Sequence, residues 1–487
     1  MTQCKSDRGS KQVLIPLELG LGKPVEAQFD GDCISTDGGL TLLRKADDRL
    51  ELSKLAAWCI RDHRRPDLVK HKLENLLKQR IYAIAAGYED CNDAARLSGD
   101  GMHKLALGFS PRSEHRLASQ PTLSRWENAV DETALKSLQK LLVHTYIRRF
   151  KKQPRLIRLA MDTTCDKVYG YQQLSFYNGF YEEYCFTPLF IFDDDGFPLA
   201  ALLRHGNAGP AESGTRMVRE VVKELRLRWP NVPIELTADA GFCTPELYEY
   251  CEANAITYLI GIKGNSGFFY HSEELVRSCK AAFDEFGFET GPLKKYGYYS
   301  SAARKLAWRQ KEERIRFSSK EEGRIQEHFE DELLVRKFME FDYDAREWSR
   351  SRRIVVRCDY TSMGPDVRYV ITNSKDTNLK RLYEDKYCRR ARCENWIKDL
   401  KTYLKSDRTS CQEFSANQFR LLLHTFAYIL MWEVRQKAGL QTATMHTVQL
   451  CLIKVGVMVN ETARRIKLHL AADFPWQKEY ARAWQHL

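Results

Sequence analysis

The sequence predicts a mixed α/β fold, and three observations predict it. Short apolar runs that end in aspartate recur between residues 156 and 262, helical periodicity separates them over 211–228 and after Thr244, and a long apolar helix follows over 416–436. The chain has 487 residues, 43% hydrophobic and 29% charged, which is material for a large core and roughly two to four domains.

Taken in order, residues 13–35 alternate short apolar runs with Gly22, Pro24 and Gly31, the pattern of a small β element. Asp37-Gly38-Gly39 then turns the chain into a helix over about 40–49. Residues 66–108 are mostly helical in period, broken at Gly87 and Asn92. At 119–128, Ser119 is a candidate N-cap and Pro121 lies in the first turn. If the helix from Asp93 completes a helix-turn-helix, Ser124 and Arg125 face a DNA groove; a capped packing helix has the same pattern.

The text changes to strands after Lys152. Residues 156–161 deliver Asp162, followed by Thr163 and Thr164. A second run, 184–192, ends in the turn Asp193-Asp194-Asp195-Gly196, and 199–203 returns as a third. A helix over 211–228 leads to residues 234–239, a strand ending in Asp239. Gly241 breaks it, Thr244 caps the next helix, and 258–262 supply a fifth strand. Three strands, helix, strand, helix, strand is the order of a ribonuclease H-like sheet, in which the first and fourth strands are neighbours and Asp162 and Asp239 meet. A strand-terminal aspartate also serves as a simple turn cap, and Asp166 lies past the strand end as a second-ranked candidate.

Residues 264–366 are charged and rich in aromatics, with apolar pairs such as Val355-Val356, which reads as a β-rich insertion of about a hundred residues. Within it Trp308 and Trp348 are candidates to stack on an unpaired base, against the commoner fate of burial. A strand resumes over 368–372. Beyond the 416–436 helix, a β-hairpin is expected around 455–468, then a terminal helix. The domain reading is therefore 1–150, a mainly helical region that is the candidate for DNA binding through Ser124 and Arg125; 151–264, the first part of the core; 265–365, the insertion; 366–436, the second part of the core with the helix of residues 387–401; and 437–487, a C-terminal region.

Residues 387–401 carry the densest chemistry. At about 100° per residue, Tyr387, Arg390, Glu394 and Lys401 fall within about 60° on one helix face. Cys393, Trp396, Ile397, Leu400 and Leu404 form an adjoining apolar arc for packing. Glutamate oxygens ligate hard cations, and Arg and Lys hold phosphate oxygens. Ordinary i,i+4 pairing of Glu394 with Arg390 and Lys398 on a solvated face fits the same residues.

The formal charge is +11 and the pI near 8.9. Between Lys380 and Arg408 there are ten Lys and Arg against five Asp and Glu, so a polyanionic partner is expected. The fourteen cysteines include no Cys-x-x-Cys pair, and no His stands at zinc-finger spacing from them. Reduced thiols in the cytosol fit this usage. No apolar signal core opens the chain and no segment is long and apolar enough to span a bilayer.

The stripe Tyr387, Arg390, Glu394, Lys401 matches without a gap the Y-(2)-R-(3)-E-(6)-K signature of the DDE transposases of bacterial insertion sequences, and the chain resembles that family. Asp162-Thr163-Thr164 with the following Gly170 and residues 172–181, Ala238-Asp239-Ala240-Gly241-Phe242, and Asn417-Gln418-Phe419-Arg420-Leu421-Leu422 resemble one branch of it. The resemblance implies a catalytic triad of Asp162, Asp239 and Glu394 that ligates two Mg²⁺ ions, with Mn²⁺ as a substitute. It implies that Tyr387, Arg390 and Lys401 hold DNA phosphates, and that two protomers meet on double-stranded DNA, both element ends and target. A bacterial, nucleoid-associated location follows from the same resemblance. The activity it implies is cleavage of the element's inverted-repeat ends and joining of their 3′-hydroxyls to target DNA. The alternatives are a domesticated DNA-binding protein and a ribonuclease H-like nuclease without strand transfer.

Overall fold

The computed structural model describes residues 15–17, 25–27, 33–289, 335–361 and 364–487. Trp308 lies outside the described residues. The chain divides into two compact units, residues 1–129 with 426–487, and residues 130–425.

The second unit is built on an eight-stranded mixed sheet. Its strands are β1 (Ile157–Thr163), β2 (Leu189–Asp193), β3 (Pro198–Leu202), β4 (Ile234–Ala238), β5 (Ile256–Ile262), β6 (Val335–Tyr343), β7 (Arg352–Thr361) and β8 (Gly364–Thr372). The order across the sheet is β6-β7-β8-β5-β4-β1-β2-β3. Strands β1, β4 and β5 are parallel, while β2 lies antiparallel to β1 and forms a hairpin with β3. Parallel neighbours need helical crossovers on the sheet faces, which bury both sides of the strands. That accounts for the nearly continuous apolar text of β1, β4 and β5.

Helix α1 (Gly214–Arg228) joins β3 to β4 and buries Met217, Val218, Val221, Val222 and Leu225 along one face. Helix α2 (Pro245–Ala253) joins β4 to β5; the Thr244 hydroxyl accepts from Leu247 N at its start, as the sequence predicts. The run expected over 184–192 is instead two strands in two sheets, Glu183–Phe186 and β2. Pro188 separates them: it has no N–H for a ladder, and its carbonyl accepts from Thr164 N at 3.0 Å.

Residues after Gly264 open with a helix, α3 (Ser266–Glu289), not a strand. Phe268, Ser272, Leu275, Cys279 and Phe283 are buried along it at helical spacing; Ser and Cys in that stripe dilute its apolar signal. The strands that follow do not form a separate sheet. They extend the core, because β8 pairs antiparallel with β5.

The first unit holds helices Leu40–Leu50, Leu73–Ala85 and Gln120–Glu127 and a small sheet in which Ile34–Ser35 pairs with Val457–Glu461, and that strand with Ile466–Leu470. The Asp37-Gly38-Gly39 turn starts the first helix as expected. Asp37 accepts from Lys454 Nζ at 2.8 Å and Tyr88 Oη at 2.9 Å, and lies 3.0 Å from His103 Nε2. Burial works to raise its carboxyl, but the His103 and Lys454 contacts outweigh burial and bring it to about 2. No disulfide joins two described cysteines, and among the described residues no helix is long and apolar enough to cross a membrane.

Gly39 is a close-approach site: a Cβ there would stand 1.9 Å from the Leu452 carbonyl oxygen. Gly39→Ala is therefore expected to lower unfolding free energy by about 3 kcal/mol in denaturant titration, the upper range for overpacking. Gly209→Ala, with nothing within 4 Å of its Cβ, is the control; equal midpoints for the two variants would refute the close-packing account.

Candidate active site

Asp162 is the penultimate residue of β1 and Asp239 the first residue past β4. These strands run parallel with Met161 opposite Ala238, so one further step on each brings the two aspartates together at the same sheet edge. Asp162 is 7% exposed and accepts from Thr163 N at 2.8 Å. Asp239 accepts from Gly241 N at 2.9 Å, which fixes it at the head of a tight turn.

The third carboxylate arrives on a continuous helical segment that changes pitch. Residues Arg381–Lys386 form a wide i→i+5 turn, Tyr387–Arg390 a tight one, α4 (Ala391–Lys398) is regular, and Asp399–Tyr403 is wide again. Leu382 and Tyr383 are buried with Leu259, Val355 and Val370 of three strands, and Tyr387 packs at the edge of that cluster. Cys393, Ile397, Leu400 and Leu404 are buried as the predicted apolar arc, and Trp396 meets Phe192 of β2 at 5.5 Å.

Arg390 joins the carboxylates. Its Nη1 donates to Asp162 Oδ2 at 3.1 Å, and its Nη2 stands 3.5 Å from Glu394 Oε1. Burial pushes the Asp162 carboxyl up to about 6; Arg390 opposes the rise, while the charges of Asp239 and Glu394 add to it. The Tyr387 hydroxyl lies where a Cβ on Gly261 of β5 would come, at 2.6 Å, and burial pushes the phenol up while the charge of Arg390 opposes the rise. The sheet thus needs glycine at 261 to seat the phenol.

Lys401 is held beside the strand end. Its ammonium donates to Thr164 Oγ1 at 3.1 Å and to the Cys165 carbonyl, and stands 3.5 Å from Asp166 Oδ1. Asp166 is fully buried, and burial pushes it up to about 7 against the pull of Lys401. The structure therefore groups Asp162, Asp239, Glu394, Tyr387 and Arg390, and sets Lys401 one step away on Asp166. Trp348 lies elsewhere, half-buried against Tyr343 and Tyr248. Arg125 is exposed on Gln120–Glu127 in the first unit.

Sequence reasoning missed the charges that staple this helical segment to the sheet. Arg389 Nη1 meets Asp194 Oδ2 at 3.0 Å, Arg158 Nη1 meets the same oxygen at 3.1 Å, and Lys386 Nζ stands 3.3 Å from Glu235 Oε2. Glu235 is a buried charge inside a strand, an anomaly visible in the sequence that signals a partner.

Among the described residues no three His, Cys, Asp or Glu side chains converge closely enough to hold a metal ion as they stand. In kind they suit a hard divalent cation: the donors are carboxylate oxygens, and their mutual repulsion around Asp162 is what added positive charge relieves.

Asp166 gives a test of the electrostatics. Its folded carboxyl ionises near 7 instead of the ordinary 3.8, so the stability it contributes is complete below pH 4 and lost as pH rises through 7. Across pH 5 to 8, the wild type is expected to lose about 2 to 3 kcal/mol more unfolding free energy than Asp166→Asn. Parallel pH profiles would show that the carboxyl titrates normally.

A family model described as "Transposase DDE domain group 1" matches residues 17–487. No curated protein matches the chain. Among solved structures, a piggyBac transposase synaptic complex with hairpin DNA, determined by cryo-EM, is similar at a TM-score of 0.39 and 10% identity, covering 85% of this chain and 79% of that one. So slight a likeness adds no weight to the geometry. The family match spans nearly the whole chain, and the strand-end aspartates with Glu394 lie inside it: the protein belongs to the DDE transposases, group 1, and is a DNA transposase.

Proposed function

We propose that this transposase binds the inverted-repeat ends of a bacterial insertion sequence, cleaves them, and joins the freed 3′-hydroxyls to target DNA. One observation supports this reading above the rest: Asp162 and Glu394, far apart in the sequence, share the single guanidinium of Arg390, and the strand register sets Asp239 next to Asp162. The matched stripe of Tyr387, Arg390, Glu394 and Lys401 favours the Y-(2)-R-(3)-E-(6)-K branch of the family. Strands β1 to β5 follow the order 3-2-1-4-5, which supports a ribonuclease H-like core with 265–365 as its insertion. Residues 1–150, with Arg125 exposed, are the region to which we assign recognition of the ends, and two protomers would pair two ends.

Cleavage of a phosphodiester builds negative charge on oxygens that lie nearly in line, so the protein's task is placement and charge stabilisation. Divalent cations, Mg²⁺ or Mn²⁺, would be held by Asp162, Asp239 and Glu394 and supply Lewis-acid activation of the attacking and leaving oxygens when bound. Arg390 keeps Asp162 from rising further, and its planar fork suits a phosphate as well as a carboxylate. Tyr387, seated over Gly261, stands close enough to Arg390 for the two to interact electrostatically and would share in holding the phosphate. Lys401 brings a point charge to the phosphate side of the strand end.

Asp162→Asn, Asp239→Asn and Glu394→Gln are each expected to lower nicking of labelled element ends by about 10³-fold or more, while end binding stays within about threefold. Nicking by any of them at the wild-type rate with Mg²⁺ would end this reading, and nicks without joined product would assign a nuclease. Lys401→Ala is expected to flatten the salt dependence of end binding by about 0.9 in log–log slope, one phosphate contact; an unchanged slope would remove Lys401 from the DNA contacts.

A further inference from the structure

In the first unit, the hairpin of Val457–Glu461 and Ile466–Leu470 has two unlike faces. Val457 and Val459 are buried on one of them, and Glu461 follows in the same alternation. That acid is the hairpin's only one, and it is committed: its Oε2 accepts from Ser110 Oγ at 2.7 Å and from Arg112 N at 3.1 Å. On the other face Met458 stands opposite His469 and Asn460 opposite Lys467, and Thr462 and Arg465 continue that alternation toward the tip. All six of these residues are exposed.

Outward strand positions are commonly polar because water covers them, and a lysine on an edge strand guards against pairing with another chain. Neither rule accounts for the sign and state of the charge here. Arg464, Arg465 and Lys467 lie almost consecutively, and among the described residues no carboxylate pairs with any of them. Elsewhere on this unit Lys54, Arg65 and Arg96 each meet a nearby carboxylate. The hairpin is also held firmly. Thr462 N donates to the Arg465 carbonyl at 2.9 Å and Arg465 N to Thr462 Oγ1 at 3.2 Å, which closes the turn with Ala463 and Arg464 at its tip. Nearer the base, Val459 N donates to the Cys33 carbonyl at 3.0 Å and Gly38 N to the Val455 carbonyl at 2.9 Å. A Cβ on Gly38 would stand 2.8 Å from that last oxygen, so the base admits no looser seat.

A braced ribbon with an amide and unpaired cations on its free face suits the major groove of B-form DNA. That groove, about 12 Å wide, admits a two-stranded ribbon, whereas the deep, narrow major groove of A-form RNA does not. There an Asn amide matches the adjoining donor and acceptor of adenine, and a Lys ammonium matches the two acceptors of guanine. Asn460 and Lys467, a cross-strand pair with Cα atoms about 5 Å apart, reach neighbouring base pairs. We propose that residues 457–470 enter the major groove of the element end, with Asn460 and Lys467 on base edges and Arg464 and Arg465 on flanking phosphates. The proposal rests on the transposase reading above and adds that the C-terminal region reads the ends together with residues 1–150.

The test uses the full-length protein, a duplex of about three helical turns carrying the element end, and a duplex of the same composition in scrambled order. Wild type is expected to prefer the element end, and methylation of N7 on one guanine in it to weaken binding. Lys467→Ala is expected to bind the end about 10-fold more weakly and to lose the interference at that guanine. Asn460→Ala is expected to weaken end binding by a similar factor. Scrambled-duplex affinity and nicking at saturating DNA stay at the wild-type level in both, which shows an intact fold. Arg464→Ala combined with Arg465→Ala weakens both duplexes alike and flattens the log–log salt slope by about 1.8, two phosphate contacts. Interference that persists in Lys467→Ala, or equal weakening on both duplexes by Asn460→Ala, overturns the groove reading, while wild-type nicking leaves the transposase reading standing. A wild type that neither prefers the element end nor nicks it overturns both.

Discussion

The register of two parallel strands forces a pair of carboxylates together, and a single guanidinium makes that tolerable. With Met161 opposite Ala238, Asp162 and Asp239 have nowhere to go but side by side, and Glu394 joins them from the helical segment. Like charges at about 4 Å cost on the order of 4 kcal/mol at the effective dielectric of a protein surface, and more when water is excluded. Arg390 offsets part of this by reaching Asp162 and Glu394 at once. The position of that side chain is therefore a constraint on everything that carries it.

Much of the second unit serves that constraint. Leu382 and Tyr383 anchor the approach to Tyr387 across three strands, and Trp396 and the buried arc from Cys393 to Leu404 anchor the segment beyond Arg390. Arg389 and Lys386 add charged ties to Asp194 and Glu235. A partly buried ion pair is weak support for stability but strong support for register, since only one placement of the segment satisfies both partners. The pitch changes on either side of α4 have the same origin. A uniform helix would keep the signature stripe in line, whereas here Tyr387 reaches Gly261 of β5 and Lys401 reaches Asp166 past the end of β1.

The legible parts of the sequence were those governed by short-range rules. The strand ending at Asp162, the strand ending at Asp239, the cap at Thr244 and the long helix after Phe414 all follow from periodicity and turn chemistry. The neighbouring of first and fourth core strands was legible as well, because parallel connections in one order leave few arrangements. What could not be read was set by distant partners. The break at Pro188 depends on which sheet each half joins. Helix α3 was hidden because Ser272 and Cys279 occupy its buried stripe. The inward turn of Lys401 depends on Asp166, some 235 residues earlier in the chain by their numbers.

The two units show two ways of burying an acid. Asp37, in the first unit, has an ammonium, a phenol and an imidazole around it, and its carboxyl falls to about 2. Every lone pair it offers has a use, which is what a buried acid needs if its only duty is to hold a fold. Asp162 and Asp166 are buried as deeply but share one cation each, and they rise to about 6 and 7. Neither arrangement is the most stable one available to a protein that can build the first kind. A carboxylate kept short of donors at the end of a central strand retains free energy that an incoming positive charge can satisfy, which is the property that the proposed active site requires and a well-packed core does not.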